Sequence, residues 1–195
     1  MARRLVVLLL ALVSLAGCAT SSASEFTGVV LHEPYHVPAT GLTDTSGRPF
    51  SLAGSTDRRL TLVYFGYTHC PDECPTTMAT LASAMLRLDP ADRDAVQVVF
   101  VTTDPARDTG PVLRRWLDRF DPSFVGLTGR LPRIKKVADR VGLPIAQGRR
   151  LPGGGYDVTH GTQVLAVDGR NVVPVVWTLG TTAPEFAHDI HQLLS

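Results

Sequence analysis

Leu60-Thr61-Leu62-Val63-Tyr64-Phe65-Gly66-Tyr67-Thr68-His69-Cys70-Pro71-Asp72-Glu73-Cys74-Pro75 is the stretch around which the rest of the chain can be ordered. The apolar and β-branched run from Leu60 to Phe65 predicts a buried strand. Gly66 to Glu73 predicts the loop leaving it, and Pro75 suits the first position of a helix, where its missing N–H costs nothing. Two thiols therefore sit where a strand feeds a helix. A helix N-terminus carries about half a positive charge and unpaired N–H groups, and both favour thiolate over thiol. The loop also holds Asp72 and Glu73 and no Lys or Arg. These carboxylates oppose a bare thiolate pair but favour a cation bound to it, which moves the reading from a dithiol oxidant towards a metal site.

Outward from this loop, the N-terminus has a different character. Arg3-Arg4 precede an apolar run from Leu5 to Leu15 that is too short to span a bilayer and has the charged-then-apolar order of a secretion signal. Leu15-Ala16-Gly17-Cys18 resembles the bacterial lipobox, which implies cleavage before Cys18 and lipidation of that cysteine. The expected organisation is a signal peptide over 1–17, a lipidated cysteine and flexible tether over 18–25, and one folded domain over 26–195. Acyl chains on Cys18 would give more than one membrane signal, enough for stable anchoring. Cys70 and Cys74 are then the only thiols of an exported domain. In an oxidising compartment such a pair closes a disulfide or is held by a metal. A purely structural disulfide over so short a loop would add little chain-entropy stabilisation.

Composition is that of an ordinary globular protein, with 195 residues, 44% hydrophobic and 19% charged, enough for one well-packed domain and short for two. The formal net charge is +1, or −1 without Arg3 and Arg4, and no basic run exceeds Lys135-Lys136 or Arg149-Arg150. A nucleic-acid partner has no electrostatic footprint here.

Along the domain, Phe26 to Leu31 predicts an edge strand, followed by a loop containing His32 and His36. Those histidines read as surface residues, with accessory metal ligation as the alternative. Gly41 to Phe50 predicts a short hairpin turning at Ser46-Gly47. Thr76 to Leu88 predicts a helix ending near Asp89-Pro90, with Met78 and Met85 on its apolar stripe as core rather than metal ligands. Val96 to Thr102 predicts a buried parallel strand, Pro111 to Phe120 a helix, Ser123 to Leu127 a strand, and Leu131 to Val141 a helix closed by Gly142 in a left-handed cap. Gly148 to Gly155 reads as a surface loop, since Gly153 to Gly155 lack the lysine and context of a phosphate loop. Gly161 to Val167 and Asn171 to Thr178 predict a hairpin about Asp168-Gly169, and Ala183 to Leu194 the terminal helix. The alternation is that of an α/β protein with a thioredoxin-like fold, an N-terminal strand extension and a late β-hairpin.

Phe65 to Pro75, the segment Asp104-Pro105-Ala106-Arg107-Asp108-Thr109, and a histidine just before the late hairpin together resemble the Sco/SenC family of copper chaperones, over about residues 26–194. The resemblance implies copper, as Cu(I) or Cu(II), held by Cys70, Cys74 and His160. It implies a protein, not itself an enzyme, on the outer face of the cell membrane that serves assembly of the binuclear copper (CuA) centre of cytochrome c oxidase subunit II. Other copper chaperones or thiol reductants are further partners. Two thiolates suit Cu(I), and adding an imidazole makes a mixed site that also suits Cu(II). Many members carry an acidic residue before this histidine and a serine after it. Thr159 and Gly161 stand there in this chain, so the group orienting the ring is expected from elsewhere. His69 is a rival ligand, but neighbouring side chains in extended backbone point to opposite faces, which favours His160. Arg107 and Asp108 are expected to dock a partner or shape the copper loop. The alternative function is metal-free thiol–disulfide exchange through Cys70 and Cys74. Peroxidase chemistry fits less well, because it needs an activated cysteine beside arginine and threonine, and this loop is acidic.

Overall fold

The computed structural model describes residues 26–54, 57–150 and 156–195. The expected signal segment, Cys18, the tether and the Gly153 to Gly155 turn lie outside them. Ten strands and five helices are described, in the order β1 (Val29–His36), β2 (Leu42–Asp44), β3 (Pro49–Phe50), β4 (Leu60–Gly66), α1 (Glu73–Arg87), α2 (Pro90–Ala95), β5 (Val96–Thr102), α3 (Gly110–Leu117), β6 (Val125–Thr128), α4 (Leu131–Arg140), β7 (Ala146–Arg150), β8 (Tyr156–Thr159), β9 (Val164–Asp168), β10 (Val172–Trp177) and α5 (Ala183–Leu194). Eight strands form one sheet in the order β1-β10-β9-β4-β5-β6-β2-β3, while β7 and β8 pair only with each other. Among the described residues no helix is long and apolar enough to cross a membrane.

Strand β4 is the centre of the sheet because all of its residues are buried. A strand covered on both faces needs the continuous apolar run that Leu60 to Phe65 supplies. It runs parallel to β5 and antiparallel to β9, which is the thioredoxin-like pattern. Register then decides where loops meet. Gly66 at the end of β4 lies opposite Thr102 at the end of β5, and Tyr64 lies opposite Val164, where β9 begins. Two strands thus end, and an antiparallel one starts, at one edge of the sheet.

Three local readings are corrected by the structure, and one segment left unassigned by the sequence proves to be a helix. Helix α1 begins at Glu73, so Cys74 lies inside its first turn and Pro75 is its third residue. Pro75 is still tolerated there, because the first N–H groups of a helix have no intrahelical partner. The 90–95 segment is a short helix, capped when the Asp89 Oδ1 accepts from the Asp92 N–H at 2.9 Å. It carries Arg93, which donates to the carbonyls of Met85, Leu86 and Leu88 at the end of α1. His32 and His36 lie in strand β1, exposed, rather than in a loop. Gly148 to Arg150, expected as the start of a loop, instead end strand β7, which pairs with β8. Its Gly and Arg content hides a ladder that only the partner strand stabilises.

The late hairpin forms where expected, but its turn runs from Asp168 to Asn171, whose N–H donates to the Asp168 carbonyl at 2.9 Å; Asn171 at φ +62°, not Gly169, takes the left-handed position, and the Asp168 carboxylate accepts from the Arg170 and Val172 N–H groups. Gly142 closes α4 at φ +72°. At the other end of the domain the Asp189 carboxylate, fully buried, accepts hydrogen bonds from the Thr27 N–H and hydroxyl, the Gly28 N–H and the Trp177 indole N–H. This ties the entry of the chain to α5 and β10.

Candidate metal centre

Cys70 leaves the β4 loop, Cys74 sits in the first turn of α1, and His160 follows β8 just before β9. The strand register brings all three to the same sheet edge. Their donor atoms lie within 4.8 Å of one another. The Cys74 Sγ is 3.7 Å from the His160 Nε2, and the two cysteines are not joined by a disulfide. Met78 and Met85 are buried in the core as expected. His32, His36 and His69 are outside the cluster.

The two sulfurs differ sharply in environment. Cys70 is half-buried and Cys74 buried. The Cys74 backbone N–H, in the first turn of α1, points at the Cys70 Sγ at 3.4 Å. Cys70 is pulled down to about 4, first by the hydrogen bond from the Cys74 side chain, then by His160 and the backbone N–H groups of Cys74 and Asp72, against the opposing effect of burial. Cys74 is pushed far up, because it donates to Cys70 and because it is buried. Cys70 is therefore the thiolate of the pair and Cys74 the thiol. Burial works against a charged His160, yet its contacts with Cys70 and with Gly161, and the negative charges of Cys70 and Glu73, leave it raised above the ordinary imidazole value.

The group that orients the His160 ring is the chain itself. Nδ1–H donates to the Gly161 carbonyl at 2.8 Å, which turns Nε2 towards the sulfurs. Tyr64 and Tyr67 meet the ring edge-on, at centroid distances of 6.2 and 5.6 Å. The buried Tyr64 hydroxyl donates to the Cys74 Sγ at 3.7 Å. Gly66 makes room for that sulfur, since a Cβ there would lie 2.8 Å from it.

Asp108 shapes the cysteine loop from beneath. Its fully buried carboxylate accepts from the Thr68 N–H at 3.0 Å, the Thr68 hydroxyl at 2.6 Å and the Thr102 hydroxyl at 2.7 Å. His69 stands half exposed, 3.8 Å from the same carboxylate. Arg107 pairs with Asp104 and reaches the hairpin that carries His160. Around these residues lies an open cleft of about 660 Å³, lined among others by Cys70, Asp72, Glu73, Arg107, Tyr156 and His160. Tyr64, Gly66, Asp104 and Tyr156 escaped the sequence reading as site residues. Their only signal was adjacency to the cysteine loop, to Arg107 and to His160.

The cluster fits a soft or borderline metal. An ion bound at about 2.3 Å to sulfur and about 2.0–2.1 Å to nitrogen spans an S···N edge of about 3.8 Å at a trigonal angle, and the observed edge is 3.7 Å. Two sulfurs and one imidazole select copper or zinc over hard cations.

A sequence profile described as SCO1/SenC matches residues 34–195. A protein of Stutzerimonas stutzeri whose name assigns it copper binding is 32% identical over 160 residues, covering 81% of this chain and 78% of that protein. Mitochondrial SCO2 of Saccharomyces cerevisiae is 34% identical over 128 residues, covering 65% of this chain but 42% of the yeast protein, so this chain spans under half of that relative. The solution structure of apo Sco1 from Thermus thermophilus is similar with a TM-score of 0.78 at 30% identity, covering 88% of this chain and 99% of that one. Copper-bound ScoI of Bradyrhizobium japonicum gives 0.72 at 28% identity, covering 81% and 99%.

Proposed function

The chain belongs to the SCO1/SenC family, and from that premise we propose that it is a membrane-anchored copper chaperone for the CuA centre of cytochrome c oxidase subunit II. It carries copper as cargo rather than catalysing a reaction. The observation that carries this reading is the convergence of two sulfurs and one imidazole within 4.8 Å. Cys70, Cys74 and His160 hold the ion, and the open cleft beside them leaves access for a donor group from a partner protein, another copper chaperone or a thiol reductant among them. Binding expels the proton retained by Cys74, so copper uptake releases acid. Lipidated Cys18 holds the domain on the outer face of the membrane. Cys18→Ala is expected to release the protein from membranes with copper binding intact, and retention in the membrane fraction would refute the anchor.

Copper titration of the purified reduced protein tests the site. The parent is expected to bind one equivalent, and His160→Ala to bind Cu(II) at least tenfold more weakly. A second reading, thiol–disulfide exchange, draws on one observation: a half-exposed thiolate at Cys70 beside a buried thiol at Cys74. It prevails if His160→Ala keeps parental copper affinity while both proteins rapidly reduce a model disulfide.

A further inference from the structure

His160 follows strand β8, and the β7–β8 ladder is hydrogen-bonded to no strand of the eight-stranded sheet. Strand β9 begins only at Val164. The backbone ladder of the main sheet therefore does not by itself fix where the imidazole stands. Val158 and, just before β7, Ile145 are buried against the core, and the Val158 backbone hydrogen-bonds the Tyr67 hydroxyl. These contacts leave Tyr156, where β8 begins, to be held separately.

Tyr156 is held by Arg107. Its Nη2 donates to the Tyr156 carbonyl at 3.0 Å, and its guanidinium lies 4.0 Å from the centroid of the Tyr156 ring. Its Nε pairs with Asp104, whose other oxygen accepts from the Tyr156 hydroxyl at 2.7 Å. Asp104 is itself buried, and its N–H donates to the Thr102 hydroxyl at 2.9 Å, so the assembly rests on the end of β5. The guanidinium also lies 5.7 Å from the centroid of the Tyr67 ring, the same ring that meets His160 edge-on. One planar cation thus touches the strand that delivers the imidazole and the aromatic wall that receives it.

From this geometry we infer that Arg107 is the positioning residue for His160, clamping the β7–β8 hairpin through Tyr156 and Asp104 so that the imidazole faces the two sulfurs. The inference rests on His160 being the third copper donor. Two thiolates alone satisfy Cu(I), whereas Cu(II) draws on the imidazole, so the clamp governs the oxidised ion more than the reduced one. Lysine cannot replace Arg107, because the contact needs a flat cation that stacks on a ring while donating in two directions.

The test uses purified reduced protein under anaerobic conditions, with Arg107→Ala, Arg107→Lys and Tyr156→Phe. Without metal, nuclear Overhauser contacts between the Tyr67 and His160 rings are expected in the parent and lost in both Arg107 variants. Cu(I) affinity, measured by competition with a chromophoric chelator, is expected to stay within threefold. Cu(II) affinity is expected to fall 10–100-fold, the range typical for loss of a group that orients a ligand, with loss of nitrogen coupling in the electron paramagnetic resonance spectrum. Tyr156→Phe removes only the hydroxyl and is expected to fall between parent and Arg107→Ala. It also carries the test, together with Arg107→Lys, if the alanine variant does not fold. Retained ring contacts with parental Cu(II) affinity and spectrum overturn the inference, as does an equal loss of Cu(I) and Cu(II). If His160→Ala loses Cu(II) while Arg107→Ala does not, the clamp fails and the copper reading stands. If neither loses it, the copper reading itself fails.

Discussion

Replacing Gly66 by alanine places a methyl group where the structure leaves space only for sulfur. The added Cβ would lie 2.8 Å from the Cys74 Sγ and 3.0 Å from ring atoms of both Phe100 and Tyr64. Ordinary non-bonded contact begins at about 3.5 Å, so the sulfur must move by about 0.7 Å or more unless the rings give way. Both rings are fully buried, so neither can swing out into solvent. Since the Cys74 Sγ stands 3.7 Å from the His160 Nε2, a shift of that size is a large fraction of the tolerance of a three-donor site. Overpacking of this kind costs about 1–3 kcal/mol, and each kcal/mol lowers the melting temperature by about 2–4 °C for a domain of this size. The expected result is a folded protein with a modestly lowered melting temperature and copper affinity reduced at least tenfold, read by chelator competition beside thermal unfolding followed by circular dichroism. Copper affinity within twofold of the parent, at any melting temperature, would refute the steric argument.

Asp108→Ala removes the acceptor of three hydrogen bonds from the cysteine loop and β5. It leaves the Thr68 N–H unpaired, so a loss of about 3–5 kcal/mol is expected, measured by urea unfolding of the metal-free protein; a loss below about 1 kcal/mol contradicts the role assigned to it. Asp189→Asn turns an acceptor-only group into one that points amide hydrogens at the donors of Thr27, Gly28 and Trp177, at an expected cost of about 2–4 kcal/mol at neutral pH. Burial pushes the Asp189 carboxyl up, but these donors hold it below its ordinary value of 3.8. Its stabilisation is therefore complete above about pH 4 and is lost as the pH falls through the lower folded-state value. Stability curves of parent and Asp189→Asn should run parallel from pH 5 to 7 and converge below pH 4; a constant gap down to pH 2 would show that the carboxylate charge contributes nothing.

Several features of this protein are local enough to be legible in the order of its residues. A continuous apolar run marks β4 as central, because a strand covered on both faces needs no alternation. The place of the late hairpin and the left-handed Gly142 are properties of a few consecutive residues and need no distant partner, although the left-handed turn residue is Asn171 rather than Gly169. Two thiols at a strand-to-helix junction announce reactive sulfur for the same reason: Cys74, whose side chain does most to lower the pKa of Cys70 and whose backbone N–H adds to it, is only four residues away.

What only the tertiary structure decided are the meetings of residues far apart in the chain. His160 becomes a neighbour of Cys74 because β9 runs antiparallel to β4 and starts where β4 ends. No pattern in residues 156–161 encodes that register. Strand β7 was illegible because its ladder exists only against β8, and Arg107 acquired its place only when Tyr156 arrived beside it. Sequence proximity determines backbone conformation and capping, whereas the direction in which a side chain finds its partner depends on how strands pair across the whole sheet.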